Sequence, residues 1–79
     1  MRVGVYTLKE TLFNGEAEKV IARTTAGEIT VLENHLPFVT TLAEGILHIV
    51  EKGGTEKTFK LKGGVIEVRP ESHVVILAS

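Results

Sequence analysis

Residues 46–62, which read ILHIVEKGGTEKTFKLK, decide the fold of this chain. Two extended runs flank Gly53-Gly54, and adjacent glycines supply the positive φ angles that a tight primed hairpin turn requires. In the second run Phe59 and Leu61 alternate with polar residues, as expected of a strand with one buried and one solvated face. The sequence therefore predicts an antiparallel β-hairpin here.

The rest of the chain has the same character. Ten Val, nine Thr and six Ile make β-branched residues the largest class, and these residues favour strands. Seven of the eight glycines lie between short apolar runs, and turn signals at this spacing are typical of a β-sandwich or a barrel. We therefore predict an all-β fold.

Nine strands follow from this pattern, and they cover residues 2–7, 11–13, 16–24, 28–32, 38–42, 46–52, 55–62, 65–69 and 73–78. The last strand contains Val74-Val75-Ile76-Leu77, and its apolar residues on both faces predict a strand covered on both sides. A turn at residues 70–72 precedes it. Helical spacing between residues 7 and 19 is broken at Asn14-Gly15, so no helix is expected there.

The length and the net charge of the chain disfavour several classes of function. Seventy-nine residues fit one domain, 1–79, whose thin core disfavours the deep cleft of an elaborate enzyme. A net charge of -1 is too balanced for phosphate-backbone binding, which disfavours nucleic acid as a partner. No run is long enough to span or enter a bilayer, and we expect a cytoplasmic location.

Candidate chemical groups are few. The chain has no Cys, which excludes a disulfide, a thiol nucleophile and a Cys-based zinc site. His35, His48 and His73 lie in separate segments without the spacing of a metal site, and a catalytic role would need a pocket that gathers two of them. The Gly63-Gly64 pair lacks the features of a phosphate-binding loop and is expected to serve a turn or close packing. No catalytic, metal-binding or cofactor-binding residue is predicted.

Lys52 raises one specific alternative. Lipoyl and biotinyl carrier domains are small β-sandwiches that present a Lys at a hairpin tip, and Lys52 precedes Gly53-Gly54. Its neighbours Glu51 and Gly53 do not form the Asp-Lys-Ala or Met-Lys-Met triplets that the modifying enzymes recognise. A free-standing carrier or ligand-binding sandwich is therefore the alternative reading, and a lipoyl or biotinyl adduct on Lys52 would support it.

Six segments in order resemble the amino-terminal half of the epsilon subunit of the rotary ATP synthase. They are residues 12–20, 25–32, 35–42, 45–49, 63–68 and 74–78. The third segment resembles the His-x-Pro-x-x-Thr-x-Leu signature of that family, and the last two resemble its closing hairpin. The resemblance covers nearly the whole chain.

This resemblance implies a two-sheet antiparallel β-sandwich without an active site or a cofactor. Such a domain is a noncatalytic central-stalk subunit of the proton-translocating enzyme, with the gamma subunit and the c-ring as partners. It is peripheral on the cytoplasmic face of the energy-coupling membrane, through the complex and without direct insertion. Residues at c-ring-contact positions are Ala26, Gly27, Glu28 and Ile29. Residues at gamma-contact positions are His35, Thr40 and Ile46.

The chain also departs from the family pattern. Thr30 replaces a common Gly, and Glu33-Asn34 replaces Pro-Gly before His35. Asn34 can adopt the same left-handed conformation as Gly, so we expect the loop to keep its shape and to gain a negative charge. Many relatives continue after Ser79 into a helical hairpin. A chain without that hairpin has no segment that could extend along gamma and inhibit ATP hydrolysis. The end at Ser79 is compatible both with a naturally short chain and with a shortened one.

A mean hydropathy of +0.18 predicts apolar surface that a partner covers.

Overall fold

The computed structural model describes residues 1–79, and every regular element in it is a β-strand. This confirms the all-β prediction. The strands are β1 (Arg2–Tyr6), β2 (Thr11–Glu16), β3 (Lys19–Thr24), β4 (Gly27–Leu32), β5 (Phe38–Leu42), β6 (Gly45–Val50), β7 (Glu56–Leu61), β8 (Gly64–Arg69) and β9 (His73–Ala78).

The strands form a sheet in the order β2-β1-β9-β8-β5-β3-β6-β7, with β4 on the other edge of β3. The sheet curls into two layers, a first layer of β2-β1-β9-β8-β5 and a second layer of β4-β3-β6-β7. They are joined where Thr24 of β3 pairs with Leu42 of β5. All pairs are antiparallel except β1 with β9, which is parallel. This curled sheet confirms the predicted β-sandwich.

Sixteen buried apolar side chains form one core. The largest that are fully enclosed are Leu47, Ile49, Ile66, Ile76, Val3, Val5, Val20, Val31 and Val74. At the open side of the sandwich Phe13 of β2 meets Phe59 of β7 edge-on, with ring centroids 6.4 Å apart. The Lys57 ammonium lies 5.6 Å from the centroid of the Phe13 ring, so a cation–π contact covers that side.

Because successive strands run in opposite directions, the turns lie at two ends of the domain. The end with the turns at residues 7–10, 25–26, 43–44 and 62–63 is called the lower end. The upper end carries residues 17–18, 33–37, 51–55 and 70–72. Glu28 and His35 therefore lie near opposite ends.

The predicted strand at residues 16–24 is wrong, because the chain changes layers inside it. β2 continues through Asn14 and Gly15 to Glu16, so the predicted end of that strand at residue 13 is also wrong. Two residues follow, and β3 begins at Lys19. The Ala17 N–H donates to the Met1 carbonyl at 2.8 Å in the first layer, whereas the Glu18 N–H donates to the Val50 carbonyl at 2.8 Å in the second. A crossing between layers thus ends one strand and starts the next without a glycine or proline.

The hairpin at residues 46–62 is confirmed, but its turn lies one residue earlier than predicted. β6 and β7 pair antiparallel from Gly45 with Leu61 to Val50 with Glu56. The Gly54 N–H donates to the Glu51 carbonyl at 3.0 Å, which places Lys52 and Gly53 at the centre of the turn. Both glycines have a φ of 95°, as predicted, but Lys52 has no positive φ, so the turn is not of the predicted primed type.

The prediction that β9 is covered on both sides is wrong. Val74 and Ile76 are fully buried, whereas Leu77 on the opposite face is 56% exposed. β9 lies between β1 and β8 in the first layer, and the second layer covers only the inner face of that layer. The apolar residues on the other face therefore form surface.

Candidate partner interface

The lower-end turn between β3 and β4 carries the predicted c-ring residues. We call residues 24–28 the β3–β4 tip. The Thr24 hydroxyl donates to the Gly27 carbonyl at 2.6 Å and accepts from the Ala26 N–H at 3.1 Å. Gly27 has a φ of 122°, a conformation that a residue without Cβ adopts readily. A Thr before the turn and a Gly after it therefore give this tip its shape.

Backbone hydrogen bonds attach the β3–β4 tip to β5. The Thr25 N–H donates to the Thr41 carbonyl at 3.1 Å, and the Ala43 N–H donates to the Arg23 carbonyl at 2.9 Å. Thr25 and Ala26 are themselves exposed. The tip thus projects into solvent from a base held by two neighbouring strands.

Glu28 presents an unpaired carboxylate at this tip. It is exposed, and none of the ion pairs in the structure includes it. Its register partner on β3 is Arg23, but the stem of Arg23 lies against Gly45, where an added Cβ would be 3.1 Å from the Arg23 Cδ. Ile29 has the opposite orientation and packs against the core. Of the predicted c-ring set, Ala26, Gly27 and Glu28 are exposed and Ile29 is half-buried.

The predicted gamma residues are not brought together. His35 is exposed at the upper end, where its Nδ1 is 2.7 Å from the Leu36 carbonyl oxygen and its ring centroid is 5.1 Å from that of Phe38. Thr40 of β5 is half-buried beside its register partner Ile66, and Ile46 is 44% exposed on the outer face of β6. They share only a continuous stretch of chain, residues 35–46.

A polar network that sequence reasoning missed positions the loop before His35. The Met1 ammonium donates to the Ala17 carbonyl at 2.9 Å and to Oε1 of Glu33 at 2.6 Å. Asn34 has a φ of 63°, which confirms the predicted left-handed conformation, and its N–H donates to the Ser72 hydroxyl at 3.1 Å. The charge that Glu33 was expected to add to the loop is thus paired with the ammonium. No pattern within a few residues signals this pair, because 32 positions separate its members.

The hydrogen bond from the Met1 ammonium lowers the pKa of the Glu33 carboxyl. A folded-state pKa below the unfolded value means that the ionised carboxylate stabilises the fold above the unfolded pKa. That contribution disappears as the pH falls through the lowered pKa. We expect Glu33→Gln to lower the urea midpoint at pH 7 and to show a smaller further loss between pH 5 and pH 3 than the wild type.

Glu18→Gln is the matched control, since Glu18 is exposed at the same end and forms no ion pair. Urea unfolding followed by circular dichroism over the pH series gives the comparison. Equal acid-side slopes for Glu33→Gln and the wild type would contradict the role of the pair.

The outer face of the first layer carries a row of apolar side chains. Val65 of β8 pairs with Leu77 of β9, and Leu77 pairs with Tyr6 of β1, so these side chains form a row. Val39, 63% exposed, adds to it from β5. The outer face of the second layer carries more charge, from Lys19, Arg23, Glu28, Glu56 and Lys60. The outer face of the first layer also carries Arg2, Glu16, Glu67 and Arg69, and the second layer exposes Leu32 and Ile46. The predicted exposed apolar surface is therefore present, but it is spread over both layers.

The other candidate groups remain apart. His48 pairs with Glu56 on the outer face of the second layer, with Nδ1 and Oε2 2.5 Å apart. No three His, Asp or Glu side chains lie close enough together to hold a metal ion. Lys52 lies exposed at the β6–β7 turn, as predicted. No helix in the structure has the length and apolar character to cross a membrane.

A curled nine-stranded sheet, with an exposed apolar row on one layer and a turn that projects from one end, defines a small all-β domain of the sandwich class. The chain belongs to the family described as ATP synthase, Delta/Epsilon chain, beta-sandwich domain, whose family model matches residues 1–79. The predicted family resemblance is thereby confirmed.

Individual relatives agree with this assignment. The chain is 37% identical over 75 residues to an ATP synthase epsilon chain of Acinetobacter baumannii, covering 95% of this chain and 52% of that protein. It is 37% identical over 78 residues to the epsilon chain of Alkalihalophilus pseudofirmus, covering 99% and 57%. The chain thus spans about half the length of the curated relatives it matches.

Two solved structures contain a similar fold. One is a chain in a structure of the Euglena gracilis mitochondrial ATP synthase that contains OSCP, F1 and the c-ring, with a TM-score of 0.90, 28% identity and coverage of 96% of this chain and 48% of that one. The other is a chain in the Tetrahymena thermophila mitochondrial central stalk and c-ring, with a TM-score of 0.82 and 19% identity, covering 99% and 62%. The second likeness concerns the fold alone.

Proposed function

We propose that residues 1–79 act as one noncatalytic unit in the central stalk of a proton-translocating rotary ATP synthase. In this role the domain joins the gamma subunit to the c-ring and transmits rotation by its rigidity. The family match over residues 1–79 is the observation that carries the proposal. The domain needs no cofactor for this work, and its place at the membrane is peripheral, on the cytoplasmic face and through the complex.

For the c-ring we propose the contact set Ala26, Gly27, Glu28 and Ile29. The unpaired, exposed carboxylate of Glu28 supports it, because a free charge at a projecting turn is available to a polar partner. The Thr25–Thr41 and Ala43–Arg23 hydrogen bonds, which hold the base of the β3–β4 tip, support this contact set further. Contacts made by such a charge at the surface weaken as salt rises.

For gamma we propose contacts at His35, Thr40 and Ile46. Their support is the single continuous stretch 35–46, which passes from the upper-end loop through β5 to the start of β6. His35 and Ile46 are exposed, and Thr40 lies in β5 next to the exposed Val39. This stretch exposes the apolar side chains of Val39 and Ile46, so the contact is expected to be larger and more apolar than that of the tip.

The first experiment measures binding of the chain to its cognate gamma subunit, by co-purification and by calorimetry at two salt concentrations. We expect tight association that depends weakly on salt and has a negative heat-capacity change, since apolar burial produces that change. Absence of binding at both salt concentrations contradicts the gamma contact.

The second experiment tests Glu28. We expect Glu28→Lys to weaken binding to detergent-solubilised c-ring at least about tenfold, which corresponds to about 1.4 kcal/mol. Because Glu28 is exposed and unpaired, the urea midpoint is expected to stay close to that of the wild type. Glu18→Lys, the same charge change at the upper end, is the control and is expected to bind normally. Equal losses of binding in both variants would sink the assignment of Glu28.

A further inference from the structure

Thr24 holds an unusual place in this domain. It ends β3, is only 4% exposed, and is the sole buried residue with a polar side chain. Its hydroxyl uses both its donor and its acceptor capacity on the β3–β4 tip, giving to the Gly27 carbonyl and accepting from the Ala26 N–H. Both hydrogen bonds of the hydroxyl therefore stabilise the conformation of the turn.

The same residue lies where the two layers meet. Thr24 with Leu42 is the one register pair between β3 and β5, and the order of strands passes from one layer to the other only at this pair. The hydrogen bonds Thr25 to Thr41 and Ala43 to Arg23 lie on either side of it. The base of the tip thus coincides with the junction of the layers.

Little else restrains the outer part of the tip. Ala26 and Gly27 are exposed, and an added Cβ on Gly27 would meet no heavy atom within 4 Å. The outer turn has no side-chain packing to fix it. Gly27 is held in β4 by its register pairing with Thr24, whereas the Ala26 N–H has the Thr24 hydroxyl as its hydrogen-bond partner and no backbone partner. Without the hydroxyl, the Ala26 N–H would turn to water and the tip would gain freedom.

We infer that Thr24 is a positioning residue, which holds the Glu28 tip at a fixed place relative to both layers so that force applied at the tip passes to the whole domain. This inference rests on the proposed c-ring contact of Glu28. It adds a residue that does not itself touch the partner. The buried hydroxyl acts on the partner contact through the position of the turn.

Two substitutions separate the hydroxyl from packing. Thr24→Val keeps the shape of the side chain and removes the hydroxyl, whereas Thr24→Ser keeps the hydroxyl and removes a methyl group. Amide hydrogen exchange of the isolated chain, measured by NMR, reports the restraint directly. We expect the Ala26 amide to exchange at least about tenfold faster in Thr24→Val and at close to the wild-type rate in Thr24→Ser. If Thr24→Val does not fold, Thr24→Ala removes the hydroxyl without the bulk.

Binding to detergent-solubilised c-ring then tests the consequence. Thr24→Val is expected to bind at least about threefold more weakly than the wild type, and Thr24→Ser to bind as the wild type does even where its urea midpoint is lower. Wild-type affinity in Thr24→Val, or an unchanged Ala26 exchange rate, overturns the positioning role. A wild-type chain that does not bind the c-ring overturns the proposed function instead, and the exchange rates still decide whether Thr24 restrains the tip.

Discussion

Replacement of Gly64 by alanine is expected to lower the free energy of unfolding by about 2–5 kcal/mol, through backbone strain and overpacking together. Gly64 has a φ of 137°, which residues with a Cβ rarely adopt. An added Cβ would lie 2.1 Å from the Leu77 carbonyl oxygen and 3.0 Å from the Ala78 Cα. Both atoms belong to the backbone of the paired strand β9, so relief requires movement of β8 or β9. A domain of this length has only about 4–12 kcal/mol of stability in total.

Gly53→Ala is the matched control for this prediction. Gly53 also has a positive φ, 95°, but an added Cβ there meets nothing within 4 Å. Its cost is therefore strain alone, about 1–2 kcal/mol. Urea unfolding monitored by circular dichroism compares the two variants. Equal midpoints would show that the approach of Leu77 to Gly64 does not matter for stability.

The second large effect is a difference in stability loss between alanine substitutions at two adjacent residues of β9. Ile76→Ala is expected to cost about 2–5 kcal/mol, because Ile76 is fully buried and its truncation leaves a cavity between the layers. Leu77→Ala removes a side chain of similar size that is 56% exposed, and we expect a loss below about 1 kcal/mol. Thermal and urea unfolding of both variants supply the measurement.

Gamma binding adds a second readout to this pair. Leu77 belongs to the apolar row on the outer face of the first layer, so Leu77→Ala is expected to weaken a gamma contact that reaches this row while it preserves the fold. A stability loss in Leu77→Ala as large as that in Ile76→Ala would mean that both faces of β9 are covered, as the sequence alone suggested.

The strands could be predicted because their signals are local. Alternation, β-branched residues and turn residues act over a few positions, and they placed β5 and β9 at the bounds found in the structure. The exception, residues 16–24, has no turn signal at Ala17-Glu18, since the interruption there comes from hydrogen bonds to Met1 and Val50 in different layers. A local pattern cannot contain the partner strands of a crossing.

In the candidate site, too, the features that depend on nearby residues could be predicted and those that depend on distant residues could not. The β3–β4 tip could be predicted as a turn from its glycine, and Asn34 as left-handed from its type. The absence of an ion pair at Glu28 could not be predicted. It depends on the Arg23 stem lying against Gly45 of β6, which is 22 positions from Arg23 in the sequence. The pairing of Glu33 with the Met1 ammonium was missed for the same reason.

By itself, the sequence determined that this chain is built from strands and where most of them begin and end, because these properties depend on neighbouring residues. It did not determine which glycines turn the chain, since Gly15 lies inside β2 and pairs with Val3. Only the tertiary structure decided which face of β9 is covered, that Thr24 lies at the junction of the two layers, and that the predicted gamma residues lie apart. These features depend on which distant strands become neighbours when the sheet curls. A linear pattern of apolar and polar residues specifies that a face can be buried, and the packing of the layers determines which one is.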